Sequence, residues 1–186
     1  MFFRKRSTVD WDKAHLAMGS SRELLEVTLD TFTTSIAGIL VSPSADQNGV
    51  MAKEEIERAF EVVRPALING SYEVKLDNAD NPHPWVITHA ENLKLLSEAT
   101  SFVGASLTAA GIGPRILAAV YPFSWNEHRI YWIYQPRIKG FTPFAPNDTE
   151  EGRDHPLELR MEKAIRSKLP TSRDVKQWFP IWGMPL

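Results

Sequence analysis

The sequence contains no cysteine. That absence excludes disulfides, thiolate nucleophiles, iron–sulfur clusters and zinc sites built on thiolates. Long apolar runs are also missing, because no stretch reaches the ~20 residues that a bilayer-crossing helix needs. Met1-Phe2-Phe3-Arg4-Lys5-Arg6 is followed by Ser7 to Asp12 and not by an apolar segment. No signal peptide is predicted, and the cytoplasm is the default location. Neither sign of charge dominates: 21 Lys and Arg against 23 Asp and Glu give a formal net charge of −2. A nucleic-acid interface needs a concentrated basic face, so none is expected.

Catalytic and metal patterns are lacking too. The histidines are His15, His83, His89, His128 and His155, and no two have the spacing of a metal pair. His155 and Glu158 share a helix start, where a cap beside Pro156 is the expected role and metal ligation is not. Gly111-Ile112-Gly113 precedes a strand, whereas a phosphate-binding glycine loop must open a helix. Ser106 lies in Gly104-Ala105-Ser106-Leu107-Thr108, which misses the nucleophile-elbow pattern and falls inside a helix. The acidic run around Glu54, Glu55, Glu57 and Glu61 reads as a solvated helix face. No cofactor, metal or catalytic residue is predicted, and the reading leans away from an enzyme.

What is present is enough for a packed domain. Hydrophobic residues make up 43% of 186 residues and charged residues 24%, values that rule out wholesale disorder. Residues 1–20 carry no clear period and are expected to form a loosely attached arm, with a short helix over Asp12–Met18. Residues 21–186 are expected to form one domain. Strands are predicted at Glu26–Phe32, Ser35–Val41, Tyr72–Leu76, Trp85–Ile87, Ile116–Phe123 and Ile130–Tyr134, with an extended stretch at Gly140–Pro146. Helices are predicted over Met51–Leu67, from Thr88 to Ala110 and from Pro156 to Leu169, each with an apolar stripe at helical spacing. Thr88 and Glu91 have capping-box spacing, and Gly111 suits a left-handed helix end. Thr171 or Ser172 is read as the cap of a last short turn. Short links between successive strands favour antiparallel pairing. The expected fold class is therefore α+β: a twisted, largely antiparallel sheet with helices packed mainly on one face, in a ββα-type order.

Three features stand above this background. Arg129, Arg137 and Lys139 flank the aromatic strand that carries Tyr131, Trp132 and Tyr134. The chain closes on Trp178-Phe179-Pro180-Ile181-Trp182-Gly183, which is expected to tuck over the sheet with Trp178 and Trp182 mostly buried. Phe2-Phe3-Arg4-Lys5-Arg6 sets aromatics beside cations, a combination suited to peripheral contact with an anionic membrane surface.

The C-terminal half resembles a known family. Gly113-Pro114-Arg115-Ile116-Leu117, the aromatic strand, Phe141-Thr142-Pro143-Phe144-Ala145-Pro146, Arg153-Asp154, Leu157-Glu158-Leu159, Leu169-Pro170 and the closing Trp-Phe-Pro-Ile-Trp-Gly occur in that order. Over residues 111 to 184 this looks like the PspA-associated protein PspAB family; the N-terminal half matches in layout alone. The resemblance implies a small cytoplasmic protein of archaea and some bacteria, associated with PspA, the coiled-coil protein of the phage-shock membrane-stress response. It supplies no catalytic residues to carry over. Two readings follow. The first is a non-enzymatic accessory protein that works by binding a PspA-like protein or a companion stress protein. The alternative is a small-ligand-binding protein or enzyme with an unrecognised pocket, for which Arg115, Tyr131, Tyr134 and Arg137, with His128, are the candidate converging groups.

Overall fold

The structure is a computed structural model that describes residues 11–63, 71–77, 82–147, 149 and 152–186. Helix α1 is Trp11–Gly19 and α2 is Arg22–Leu29. Strands β1 (Phe32–Thr33) and β2 (Ile36–Val41) precede helix α3 (Gly49–Val63). Strands β3 (Ser71–Leu76) and β4 (Pro84–His89) lead into α4 (Leu93–Ala109). Then come β5 (Ile116–Trp125), β6 (His128–Gln135), β7 (Gly140–Phe144) and α5 (His155–Ile165). The strands form an antiparallel sheet in the order β3-β4-β2-β5-β6-β7, with β1 also paired to β5. The α+β class with an antiparallel sheet, expected from the sequence, is the class observed.

Strand β5 is central because both its edges are used. Its break in pairing lies opposite Tyr121–Pro122, between the β1 register (Thr33↔Phe123) and the β2 register (Gly38↔Val120). Ser35 turns the chain there with φ 61°. A proline is tolerated in so central a strand because the facing ladder is interrupted at that point. Pro143 sits in β7, where Phe141 also bridges to Thr171 of the C-terminal segment.

Alternation sorts the strand residues onto two faces. The inner face carries Ile39, Tyr121, Phe123, Trp132, Tyr134 and Phe141, packed against apolar residues of all five helices. The outer face carries Trp85, Ile87, Val120, Tyr131, Ile133 and Phe144, covered by Ile181, Met184 and Leu186 of the C-terminal segment. Because both faces are covered, β5 and β6 read as almost continuous apolar runs.

Several expectations are corrected. The segment predicted as a strand at Glu26–Phe32 is helical through Leu29 and enters β1 only at Phe32: Leu25 and Leu29, four residues apart, are the buried positions of α2, whereas Val27 is exposed. Spacing of four belongs to a helix, and the alternation that suggested a strand came from an exposed valine. Residues 11–19 are not a loose arm either. Trp11, Ala14 and Met18 of α1 are buried in the main core. Helix α1 lies so close to α4 that a Cβ on Gly104 would come within 2.6 Å of the Trp11 ring. Thr88 does not cap α4. It pairs within β4, and its hydroxyl lies 3.0 Å from that of Thr100. Asn92 is the cap, its side chain accepting from the Leu95 amide at 3.0 Å. Asp174, and neither Thr171 nor Ser172, caps the last 3-10 turn. Gly111 does take the left-handed conformation, with φ 84°. The Phe2–Arg6 segment and the end of the helix predicted to Leu67 lie outside the described residues.

Candidate functional site

The residues singled out from the sequence do not converge. Arg115 ends the 3-10 turn Gly113–Arg115, and its guanidinium donates to Ser44 Oγ at 2.5 Å, Gln47 Oε1 at 3.0 Å and Glu55 Oε2 at 2.6 Å. It clamps the loop after β2 onto α3. Tyr131 and Tyr134 are three residues apart on β6, so they face opposite sides of the sheet. Tyr131 stacks on Phe144 on the outer face, with ring centroids 5.6 Å apart, and burial raises its phenol pKa. Tyr134 packs on the inner face against His15 and Phe141. Arg137 is exposed in the β6–β7 turn. His128 lines a separate small cleft with Trp125, Asp154 and Leu157.

His155 and Glu158 are close, with Nδ1 3.1 Å from Oε2. The fully buried Glu158 carboxylate is occupied elsewhere, however. It accepts from Arg153 Nε at 2.9 Å, from Arg153 Nη2 at 3.0 Å and from the Ala145 amide at 3.0 Å. A forked guanidinium and an amide satisfy a carboxylate in a way that suits a structural anchor. Arg153 also donates through Nη1 to the Trp178 carbonyl at 2.8 Å. One buried acid thereby ties α5 to β7 and to the C-terminal segment. Among the described residues no group of three or more His, Asp or Glu could hold a metal ion.

A buried polar pair lies in the core under α1. His15 Nδ1 lies 2.5 Å from Tyr121 Oη. With its proton on Nδ1 the imidazole donates to the tyrosine hydroxyl. His15 Nε2 then has a lone pair with no partner, which costs less than a stranded N–H donor. Trp11 stacks on the imidazole at 5.0 Å. Burial lowers the His15 pKa to about 3 and pushes the Tyr121 phenol far above its usual value. Nothing in the sequence pattern points to this pair, because its members lie on separate elements, α1 and β5.

Two larger clefts, each of about 540 Å³, remain. One is lined by Ser35, Ser71, His89 and Glu91. Beside it, His89 contacts Glu73 at 3.1 Å, and Lys75, 2.8 Å away, holds the Glu73 carboxyl below its usual range. The other lies between α1, the β6–β7 turn and the end of α5. Lys13, Lys139, Arg166 and Lys168 line it over a floor that includes Leu169 and Pro170, with no acidic lining residue. Lys139 takes φ 53° in the turn, and Arg166 is the C-terminal cap of α5. Among the described residues Lys139, Arg166 and Lys168 enter no ion pair. Of the residues singled out from the sequence, Tyr134 and Lys139 reach this cleft. Its cations are scattered from position 13 to position 168, so only the fold assembles them.

A family model described as PspAB, PspA associated protein B, matches residues 3–186, nearly the whole chain. The similarity read from residues 111–184 thus extends through the N-terminal half. No curated protein and no solved structure matches the chain.

Proposed function

This chain belongs to the PspAB family, PspA associated protein B, and on that premise we propose that it is a non-enzymatic accessory protein of a PspA-type membrane-stress response. It acts by binding a PspA-like protein or a companion stress protein in the cytoplasm. The match of the family model to residues 3–186 carries this reading. Two structural observations support it. Among the described residues, helices pack on the inner sheet face and the C-terminal segment on the outer face, so most of the sheet is taken up by the protein's own packing. The buried Glu158 carboxylate and His15 imidazole have partners within the fold, Arg153 and Tyr121. Among the described residues no helix is long and apolar enough to cross a membrane.

The test is co-purification of the tagged full-length chain with a PspA-like protein expressed beside it. The expected result is a complex that survives gel filtration at physiological salt. If the two proteins elute separately, and the chain also captures no companion protein of the same stress response, the proposal fails.

A further inference from the structure

We propose that the basic cleft between α1, the β6–β7 turn and the end of α5 binds a small phosphorylated molecule carrying two adjacent phosphates. Four cationic side chains line it and no carboxylate does, in a protein whose formal net charge is −2. Like charges gathered at one place repel, and a surface that gains nothing from the cluster spaces cations among acids. At five other places among the described residues a cation sits beside an acid: Arg22 with Glu26, Lys53 with Glu57, Lys75 with Glu73, Arg115 with Glu55 and Arg153 with Glu158 are ion pairs. Lys139, Arg166 and Lys168 have no such partner among the described residues. Nearby acids are turned to other tasks. Asp12 accepts from Ser101, and Glu162 is buried and accepts from Thr171. Glu23 shares a neighbouring groove with Lys168 but does not line the cleft.

The geometry selects the ligand class. A single carboxylate neutralises only one of the cations, whereas a diphosphate brings about three negative charges within a span that several lysines and an arginine can reach together. The volume of about 540 Å³ exceeds what a bare diphosphate fills, and it falls in the ordinary range for small-ligand sites. Ala14, Ala17, Leu169, Pro170 and Tyr134 supply apolar wall for an organic group attached to the phosphates. A membrane surface is the poorer match, because the cations ring a concavity and do not lie across a flat or convex face. This inference is independent of the PspA-linked reading and can fail without it.

The experiment is calorimetric titration of the full-length protein with inorganic pyrophosphate and with ADP at low salt, repeated near physiological salt. Glutamate oligomers and phosphatidylglycerol vesicles are the parallel arms. The variants are Lys139→Gly with Arg166→Ala and Lys168→Ala, the glycine chosen because position 139 has positive φ. Lys75→Ala is the control, a cation outside the cleft. A thermal melt confirms that each variant folds. The expected result is saturable binding of one pyrophosphate or ADP, tighter for ADP. It should weaken about tenfold or more in the triple variant and with added salt, and stay unchanged in Lys75→Ala. Absence of saturable binding, equal binding by the folded triple variant, or binding confined to the vesicles or the glutamate oligomers would each overturn the proposal.

Discussion

His15 is fully buried beneath Trp11, and its ionisation is a stability term of the fold. In the unfolded chain it takes a proton as pH falls through about 6.5, and in the folded protein only near pH 3. Between those values the unfolded state holds more protons. The stabilisation is therefore complete above the unfolded pKa and declines as pH falls through the window, by about 1.4 kcal/mol per pH unit for a single group. Urea unfolding between about pH 7.5 and about pH 5 checks this. His15→Gln should flatten the slope relative to the parent, by nearly one proton toward pH 5, and an unaltered slope would show that His15 is not the group responsible. Arg153 makes a second residue-scale case. Arg153→Met leaves the Glu158 carboxylate buried with its forked partner gone, and the expected loss is about 3–5 kcal/mol. The double variant Arg153→Met with Glu158→Gln should recover part of that loss, because the stranded charge is removed with its partner. A double variant as unstable as the single one would mean that Arg153 matters through its contacts with Phe144 and Trp178 alone.

At the scale of the element, legibility followed how directly local pattern reports burial. Helices α3, α4 and α5 were readable because their stripes are long, and Pro156 and Gly111 mark boundaries by chemistry that tertiary context seldom overrides. Helix α2 was not, because eight residues hold only two buried positions, Leu25 and Leu29. Helix α1 was predicted, but its attachment was not: what fixes it is the close approach of Trp11 to Gly104, a contact across 93 positions. The basic cleft was illegible for the same reason. The β5–β6 hairpin shows the reverse situation, in which local geometry is stricter than the sequence suggests. Trp125 pairs with His128 across a two-residue turn in which Asn126 and Glu127 have φ 45° and 67°. Asparagine tolerates that region, but glutamate is strained there. Glu127→Gly should stabilise the protein by about 1 kcal/mol, read as a higher denaturant midpoint with unchanged slope. A lower midpoint would mean that the Glu127 side chain makes a contact that outweighs the strain.

At the scale of the whole molecule, the sheet has two faces and helices for only one. Left bare, the outer face of Trp85, Ile87, Val120, Tyr131, Ile133 and Phe144 would be a large apolar patch. The segment after Leu169 closes it. The segment begins against β7, where the Phe141 amide donates to the Pro170 carbonyl at 2.7 Å. Trp178, 5% exposed, donates to the Ser172 carbonyl at 2.9 Å and is held by Arg153. The strap then crosses the sheet as far as β2, where Leu186 packs so tightly over Gly38 that an added Cβ would come within 2.8 Å of its side chain. Trp182 is less buried than expected, at 37% exposure, because it meets the sheet edge-on at Phe144, with centroids 4.9 Å apart, and leaves its other side to solvent. Phe179, between the two tryptophans, is 62% exposed. This difference inside one aromatic run makes the structural role testable without deleting the run. Trp178→Ala removes a buried ring and its hydrogen bond and should cost about 3–5 kcal/mol, whereas Phe179→Ala should stay within about 0.5 kcal/mol of the parent. Truncation after Leu169 should cost more than either, since it uncovers the outer face as well. Thermal and urea unfolding of the three variants decide the matter. Equal stability of the truncated and parent proteins would mean that the strap is not part of the fold, and that its aromatics serve a partner instead.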